Sequence, residues 1–244
     1  MSDVAAIVVR KLEMRARLSA ADRTAVAAMV VQHRQYEAGS YLVREGEPPR
    51  PTCAFIISGI AYRQKLTREG ARQIVALEMQ GDFIDVQHLF LRCADHNVQS
   101  LTRMETAEVS REGLRQLALT HPAIGEALWV DALVAGSVYR EWITNLGRRD
   151  AKTRVAHLLC EFTLRARAAG IAGHLQYELP MTQEQLGDAT GLTSVHVNRT
   201  LKALEVDGLI ARDRRHVRLI DWDRIVDVAD FNSRYLHLDQ VGAE

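Results

Sequence analysis

"MTQEQLGDATGLTSVHVNRTLKALEVDGLI", residues 181–210, is the stretch that decides the fold of the second half of the chain. Thr182 and Gln185 have the T-x-x-Q spacing of a capping box, so a helix is predicted to begin there. Gly191 permits the positive φ that a sharp turn between two helices requires. Thr193 can cap a second helix after that turn. The stretch therefore predicts a helix, a glycine-containing turn and a second helix.

The predicted second helix, residues 193–206, has two different faces. Val197, Leu201 and Leu204 recur at i, i+4 and i+7 and therefore share one inward face. The opposite face mixes small, apolar, amide and cationic side chains, which is unusual for a purely solvated surface. Its members are Ser194, Val195, Asn198, Arg199 and Lys202.

This outward face has the chemistry of a DNA-reading surface. In helix-turn-helix proteins the second helix enters the major groove. Arg199 can donate two parallel hydrogen bonds to guanine O6 and N7, and Asn198 or Ser194 can pair with a base edge or a phosphate. We expect Val195 to contact a thymine methyl group and Lys202 to contact a phosphate. The alternative left open is an ordinary helical hairpin with a solvated face.

A basic hairpin follows the two helices. The segment "LIARDRRHVRLI" (209–220) is predicted to form a β-hairpin wing, and its "ARDRRHVR" core holds four arginines and one aspartate. Hydroxyl-capped helix starts also suit phosphate oxygens. Further DNA contacts are therefore predicted at Thr182, Thr193, His196, Arg212, Arg214 and Arg215.

The first half of the chain has a different pattern of residue types. Residues 1–33 are predicted to be helical, with Ser19 as an N-cap. Residues 36–110 alternate short β-rich runs with turn signals, which predicts a β sandwich or jelly roll. An α+β architecture is predicted: a jelly roll with N-terminal helices at 1–120, a long helix at 121–147, and a winged helix-turn-helix domain with a helical tail at 148–244.

The predicted long helix starts at a Thr120 cap and runs without a breaker to Gly147. It must bury an apolar stripe, either against its own barrel or against a second copy of the chain. We keep both alternatives, of which the second gives a homodimer. The residues assigned to this stripe are Leu128, Ala135, Val138, Trp142 and Leu146.

The composition sets limits on location and partners. The 244 residues include 31 basic and 31 acidic side chains, so a polyanionic partner must be met by a local patch. No signal peptide and no apolar run of bilayer length is recognised, which predicts a protein without a membrane partner. Three cysteines without CxxC spacing argue against a disulfide framework and for the reducing cytoplasm.

The whole chain resembles the Crp/Fnr transcription regulators. The likeness runs from "YEAGSYLVREGEPP" (36–49) through "FIISGI" (55–60) and "QGDFIDVQHLF" (80–90) to the predicted wing. The resemblance implies a sequence-specific DNA-binding regulator rather than an enzyme, a dimer formed by the long helix, a palindromic operator, and RNA polymerase as a partner. It also covers the jelly-roll glycines Gly39, Gly46, Gly59, Gly70 and Gly81.

Individual residues follow the family only in part. Arg199 matches the family's recognition-helix arginine and Lys202 the basic position after it, but Val195 stands where a glutamate is usual. Cyclic-AMP-binding members use a glutamate and an Arg-Ser pair; the alignment places Val86 and Asn97-Val98 there. A cyclic phosphate would lack its bidentate arginine, so cyclic AMP binding in the usual way is not expected.

Other sensor chemistries have little support in the sequence. The first cysteine is Cys53, so the N-terminal cysteine cluster of iron–sulfur members is missing. His88, Cys93 and His96 are a candidate haem or metal site, but we expect them instead to be solvated or core residues. Cys160 is expected to be a buried small apolar group. The cofactor stays unassigned.

Two other functions compete with a DNA-binding regulator. A cupin-like jelly-roll metalloenzyme with a helical appendage would need several histidines and a carboxylate converging in the barrel. The nine histidines are scattered, with no H-x-H pair in the β region. A signalling protein that keeps the fold without binding DNA would leave the basic wing unexplained. The sequence does not indicate the effector, the operator sequence, the regulated genes, or activation as against repression.

Overall fold

The computed structural model describes residues 3–171 and 175–238. Contacts divide the chain into two compact units. The first is built on the described residues of 1–64, 77–136 and the segment from 237 onward. The second is built on those of 65–76 and 137–236. Within the described residues, no helix is both long and apolar enough to cross a bilayer.

The first unit begins with two helices, α1 (Asp3–Glu13) and α2 (Ala20–Ala27). Ser19 caps α2 in a capping box with Asp22, as predicted. The prediction of helix up to residue 33 is wrong, because β1 (Val31–Tyr36) is a strand that pairs antiparallel along its whole length with a later strand.

Six more strands complete the β region. The strands form two sheets, with the orders β1-β7-β3 and β2-β6-β4-β5, which agrees with the predicted jelly roll. A short 3-10 helix lies between β5 and β6 at Val86–Leu89. The strands are β2 (Tyr41–Val43), β3 (Thr52–Ser58), β4 (Ala61–Leu66), β5 (Arg72–Glu78), β6 (Asn97–Ser100) and β7 (Met104–Ser110).

Strand β3 lies at the centre of the first unit's core and is buried on both faces. Cys53 and Phe55 belong to an apolar cluster that also holds residues of α1, whereas Ala54 and Ile56 belong to a second cluster with residues of β4 and β6. Successive side chains of a strand point to opposite faces. The run "TCAFIIS" is therefore apolar at consecutive positions.

Two helices follow β7, where one was predicted. Helix α3 (Arg111–Thr120) precedes α4 (Pro122–Arg148). The prediction that Thr120 caps the long helix is wrong, because its hydroxyl donates to Gln116 O at 2.9 Å and Thr120 ends α3. Of the predicted stripe on α4, Leu128, Val138 and Trp142 are buried, while Ala135 is exposed and Leu146 is half-buried.

The second unit contains the predicted helices and hairpin. Asp150 caps the helix α5 (Ala151–Ala168) by accepting the Thr153 backbone N–H at 2.9 Å. The predicted hairpin forms, and a strand that was not predicted, β8, pairs with it in a sheet of order β8-β10-β9. Residues 239–244 of the predicted tail lie outside the described residues. The elements are α5 (Ala151–Ala168), β8 (Gln176–Glu178), α6 (Gln183–Thr190), α7 (Ser194–Val206), β9 (Ile210–Asp213), β10 (His216–Leu219), α8 (Trp222–Val228) and a 3-10 helix (Ser233–Leu236).

Candidate nucleic-acid interface

The turn between α6 and α7 has the geometry that the sequence predicts. The Gln185 backbone N–H donates to the Thr182 hydroxyl at 3.2 Å, and the Thr182 N–H donates to the Gln185 amide oxygen at 2.9 Å. Gly191 ends α6 in the left-handed region with φ of +67°. Thr193 then caps α7 by accepting the His196 backbone N–H at 3.2 Å. The capping box and the turn glycine are confirmed.

A second glycine of this turn was not predicted. A Cβ atom on Gly187 would lie 2.3 Å from the carbonyl oxygen of Leu192, which no real side chain tolerates. The Leu192 N–H also donates to Gly187 O at 3.0 Å, so the turn folds directly over this residue. Gly187 therefore sets how closely the turn approaches α6, and with it where α7 begins.

Helix α7 separates its two faces cleanly. Val197, Leu201 and Leu204 are fully buried in the second unit, as predicted. All five residues of the predicted outward face are exposed, and Val195 shows 69% of its surface to solvent. An exposed valine on a helix that has a complete apolar face elsewhere is available for a contact outside the chain.

Five of the outward side chains come together in one shallow groove. The groove also includes Gln183, the first residue of α6, which the sequence analysis missed. The position of Gln183 directly after the Thr182 cap is the sequence signal that could have identified it. His196 is exposed but is not part of this lining. The members of the set, here called the α7 groove, are Gln183, Ser194, Val195, Asn198, Arg199 and Lys202.

The two threonine caps leave donors at the surface. Each hydroxyl oxygen accepts a backbone N–H, so its own hydrogen stays free to donate. Thr182 and Thr193 are both exposed. Hydroxyl groups at helix starts, with the partial positive charge of the helix end behind them, are common contacts for phosphate oxygens.

The wing hairpin divides its arginines into two kinds. Arg212 is half-buried and forms an ion pair with Glu205 at 2.7 Å, so most of its charge is neutralised within the unit. Arg214 and Arg215 are exposed at the hairpin turn, and their guanidinium groups have no ion-pair partner among the residues described. Arg218 is also exposed, on β10. The exposed positive charge of the wing is therefore carried by Arg214 and Arg215 at the turn and by Arg218 on β10.

The positions of the family's cyclic-nucleotide ligands hold neutral side chains. Val98 is fully buried in β6, and the Asn97 amide oxygen accepts the Glu45 backbone N–H at 3.0 Å. Val86 begins the 3-10 helix and is half-buried. None of the three supplies a cation for a phosphate.

A buried arginine in the β region was not predicted. Arg63 contacts the carboxylate of Glu78 and donates to the carbonyl oxygens of Phe83 and Ile84 at 3.2 and 2.8 Å. It also lies 2.7 Å from Nε2 of His96. Burial and this guanidinium together lower the pKa of His96, which keeps its ring neutral.

The three residues weighed as a metal site have separate environments. His88 and His96 are buried, and Cys93 is exposed. In the part of the chain that the structure describes, no group of three histidine, cysteine or acidic residues is placed to hold a metal ion. Cys160 is fully buried as expected, and burial raises its pKa to about 12.

Two family models match the chain. One is described as a cyclic nucleotide-binding domain and matches residues 33–121. The other is described as a Crp-like helix-turn-helix domain and matches residues 153–228. The two matches cover the β region with α3 and the second unit from α5 to α8.

Curated proteins and solved structures match over most of the chain. The transcriptional activator protein FnrL of Cereibacter sphaeroides is 28% identical over 216 residues, 87% of this chain and 86% of the relative. The cAMP-activated global transcriptional regulator CRP of Escherichia coli is 28% identical over 179 residues, 72% of this chain and 84% of that protein. The structure of FixK2 from Bradyrhizobium japonicum has a TM-score of 0.75 at 24% identity, covering 82% of this chain and 98% of that one, which supports the fold.

Proposed function

We propose that this chain, a member of the Crp/Fnr family of transcription regulators, reads a two-fold symmetric operator with α7. The chain is a DNA-binding regulator and not an enzyme. The cupin-like metalloenzyme is set aside because both halves of the chain match domains of regulators. The observation that carries the proposal is the α7 groove, in which an exposed arginine, amide, hydroxyl and valine lie side by side.

Each side chain of this surface is proposed to have a distinct contact. Arg199 pairs with a guanine in the major groove, and Val195 lies against a thymine methyl group. Asn198 and Ser194 bond to a base edge or a phosphate, while Lys202 and His196 contact phosphates. Phosphate contacts are also proposed for the caps and the wing, at Thr182, Thr193, Arg212, Arg214 and Arg215. Because Arg212 is paired with Glu205, we propose that it contributes less to DNA binding than Arg214 and Arg215 do.

The proposal includes a homodimer formed along α4. Trp129, Leu133 and Ile143 are exposed to 69, 58 and 69% although they are large and apolar. Their spacing of four and ten residues places them on one side of a helix with 3.6 residues per turn. A second copy related by a two-fold axis would cover this side and present two α7 helices to two half-sites. We accordingly propose the functional parts 1–120, 121–147 and 148–244.

The sensor and partners are further parts of the proposal. The neutral residues Val86, Asn97 and Val98 argue against cyclic AMP binding in the usual way, whatever the first part of the chain detects. RNA polymerase is proposed as the partner through which DNA binding changes transcription, and the cytoplasm as the location. Support for both comes from the relatives, which are named as transcriptional activators.

The experiment uses an operator selected from a random duplex library with the full chain. Fluorescence anisotropy then measures affinity for this duplex and for an unrelated one over a range of salt concentrations. Arg214→Gln is expected to weaken both complexes and to reduce the slope of log affinity against log salt by about 2, because a homodimer loses one phosphate contact in each half-site. Arg167→Gln, an exposed arginine on α5, serves as the control. Binding that is independent of salt, or equal losses in the two variants, would contradict the proposal.

A further inference from the structure

A cleft in the first unit lies beside the start of α3. Its volume is about 300 Å³, at the lower end of the range for sites that hold small molecules. It is formed by the 3-10 helix Val86–Leu89, the residues just after it, and the first turns of α3. The set, here called the α3 cleft, consists of Pro49, His88, Leu89, Phe90, Leu91, Arg92, Arg111, Glu112 and Arg115.

Positive charge dominates this cleft. Arg92, Arg111 and Arg115 line it against one carboxylate, that of Glu112. This carboxylate already accepts a hydrogen bond from the Gln116 amide at 2.7 Å and lies 3.8 Å from Arg115. The guanidinium groups of Arg92 and Arg111 have no hydrogen-bond or ion-pair partner in the described part of the chain. The N-terminal end of α3 adds its partial positive charge.

His88 gives the cleft an unpartnered buried polar group. Only 3% of its surface is exposed, and neither ring nitrogen has a hydrogen-bond partner among the residues described. Buried polar groups in folded proteins nearly always have partners, because leaving one unpaired costs free energy. Burial lowers the pKa of His88, so the ring is neutral and offers one N–H donor and one acceptor.

We propose that the α3 cleft binds a small oxyanion, the carboxylate or phosphate group of a metabolite, through Arg111, Arg115 and an N–H of His88. Arginine pairs well with either oxyanion, because its fork of N–H groups matches both geometries. The apolar walls, Leu89 below and the exposed Phe90 and Leu91 at the rim, suit a short carbon skeleton attached to that group. Such a ligand would satisfy the ring nitrogen that the protein leaves unpaired.

The test uses two probes, sodium phosphate and sodium succinate, with sodium chloride holding ionic strength constant. Isothermal titration calorimetry measures binding to the full chain without DNA, so its outcome is independent of the proposed operator contacts. We expect saturable binding of at least one probe, weakened about tenfold or more in Arg111→Gln through loss of a charged hydrogen-bond partner. Arg10→Gln, an exposed arginine on α1, is the matched control and should bind as the parent does.

Histidine side-chain NMR gives a second measurement that does not depend on a stability change. One ring is expected to shift on titration, and this signal should be missing from His88→Gln. Binding of phosphate alone would assign a phosphorylated ligand, and binding of succinate alone a carboxylate. No saturable binding of either probe, or binding that Arg111→Gln and Arg115→Gln leave unchanged, would overturn the proposal.

Discussion

Replacing Gly187 by alanine should displace α7 without changing any side chain that is proposed to contact DNA. The new Cβ atom would lie 2.3 Å from the carbonyl oxygen of Leu192, whereas ordinary contact begins at 3.4 Å. The turn must therefore retreat by about 1 Å, because backbone cannot rotate away as a flexible side chain can. That movement also lengthens the hydrogen bond from Leu192 N to Gly187 O, now 3.0 Å.

Three contributions decide the size of the effect on stability. Overpacking costs about 1–3 kcal/mol. The weakened turn hydrogen bond costs up to about 1 kcal/mol. Alanine in place of glycine within a helix stabilises the helix by about 1 kcal/mol, which offsets part of these losses. The variant should lose up to about 3 kcal/mol in the free energy of unfolding. Its operator affinity should fall because the distance between Thr182 and α7 changes.

Urea denaturation followed by circular dichroism measures the stability, and anisotropy measures the DNA affinity of the folded variant. Gly147→Ala is the matched control, because its Cβ atom meets nothing within 4 Å on α4. It should be neutral or slightly stabilising. A Gly187→Ala variant as stable as the control, with unchanged operator affinity, would refute the close approach of the turn to α6.

Three further predictions concern the dimer, a buried carboxylate and pH. Leu133→Arg should weaken self-association at least about 100-fold by sedimentation, because a two-fold interface loses the leucine twice; an unchanged dimer would exclude this face of α4. Tyr235→Phe removes a hydroxyl that donates to buried Glu161 at 2.7 Å and should cost about 1.5–3 kcal/mol in urea denaturation; no loss would contradict that bond's contribution. Burial and, secondarily, Arg149 lower the pKa of His157 to about 3. The unfolded chain binds this proton near pH 6.5, so stability should fall as pH drops from about 6.5 toward 3, by up to about 1.4 kcal/mol per pH unit. His157→Gln should flatten that slope in thermal denaturation, and an unaltered slope would assign it to other groups.

The helix-turn-helix was predictable from sequence because its signals are local. Thr182, Gln185 and Gly191 act within a few residues of themselves, and the inward face of α7 follows from helix periodicity alone. Strand β1 was missed because "VQHRQY" is mostly exposed and does not alternate apolar with polar residues. Its amino-acid composition therefore gives no sign that it pairs with β7.

The rest of the site depends on contacts that span the fold. The constraint on Gly187 comes from a carbonyl five residues later, whose position depends on the turn. The charge of Arg212 is reduced by Glu205 on another element, which a count of basic residues in the wing does not reveal. The unpartnered ring of His88 is visible only when all its neighbours are placed.

The most direct test of base recognition by α7 in the major groove is a double-mutant cycle. It combines Arg199→Ala with single base changes in the selected operator. Affinities are measured for both proteins on the parent duplex and on duplexes in which each guanine is replaced by 7-deazaguanine, which lacks the N7 acceptor. We predict that Arg199→Ala costs about 1–3 kcal/mol, and that this loss becomes smaller at one base pair in each half-site, where the N7 acceptor of one of the two arginine hydrogen bonds has already been removed. Losses that add independently at every guanine would contradict base reading by Arg199.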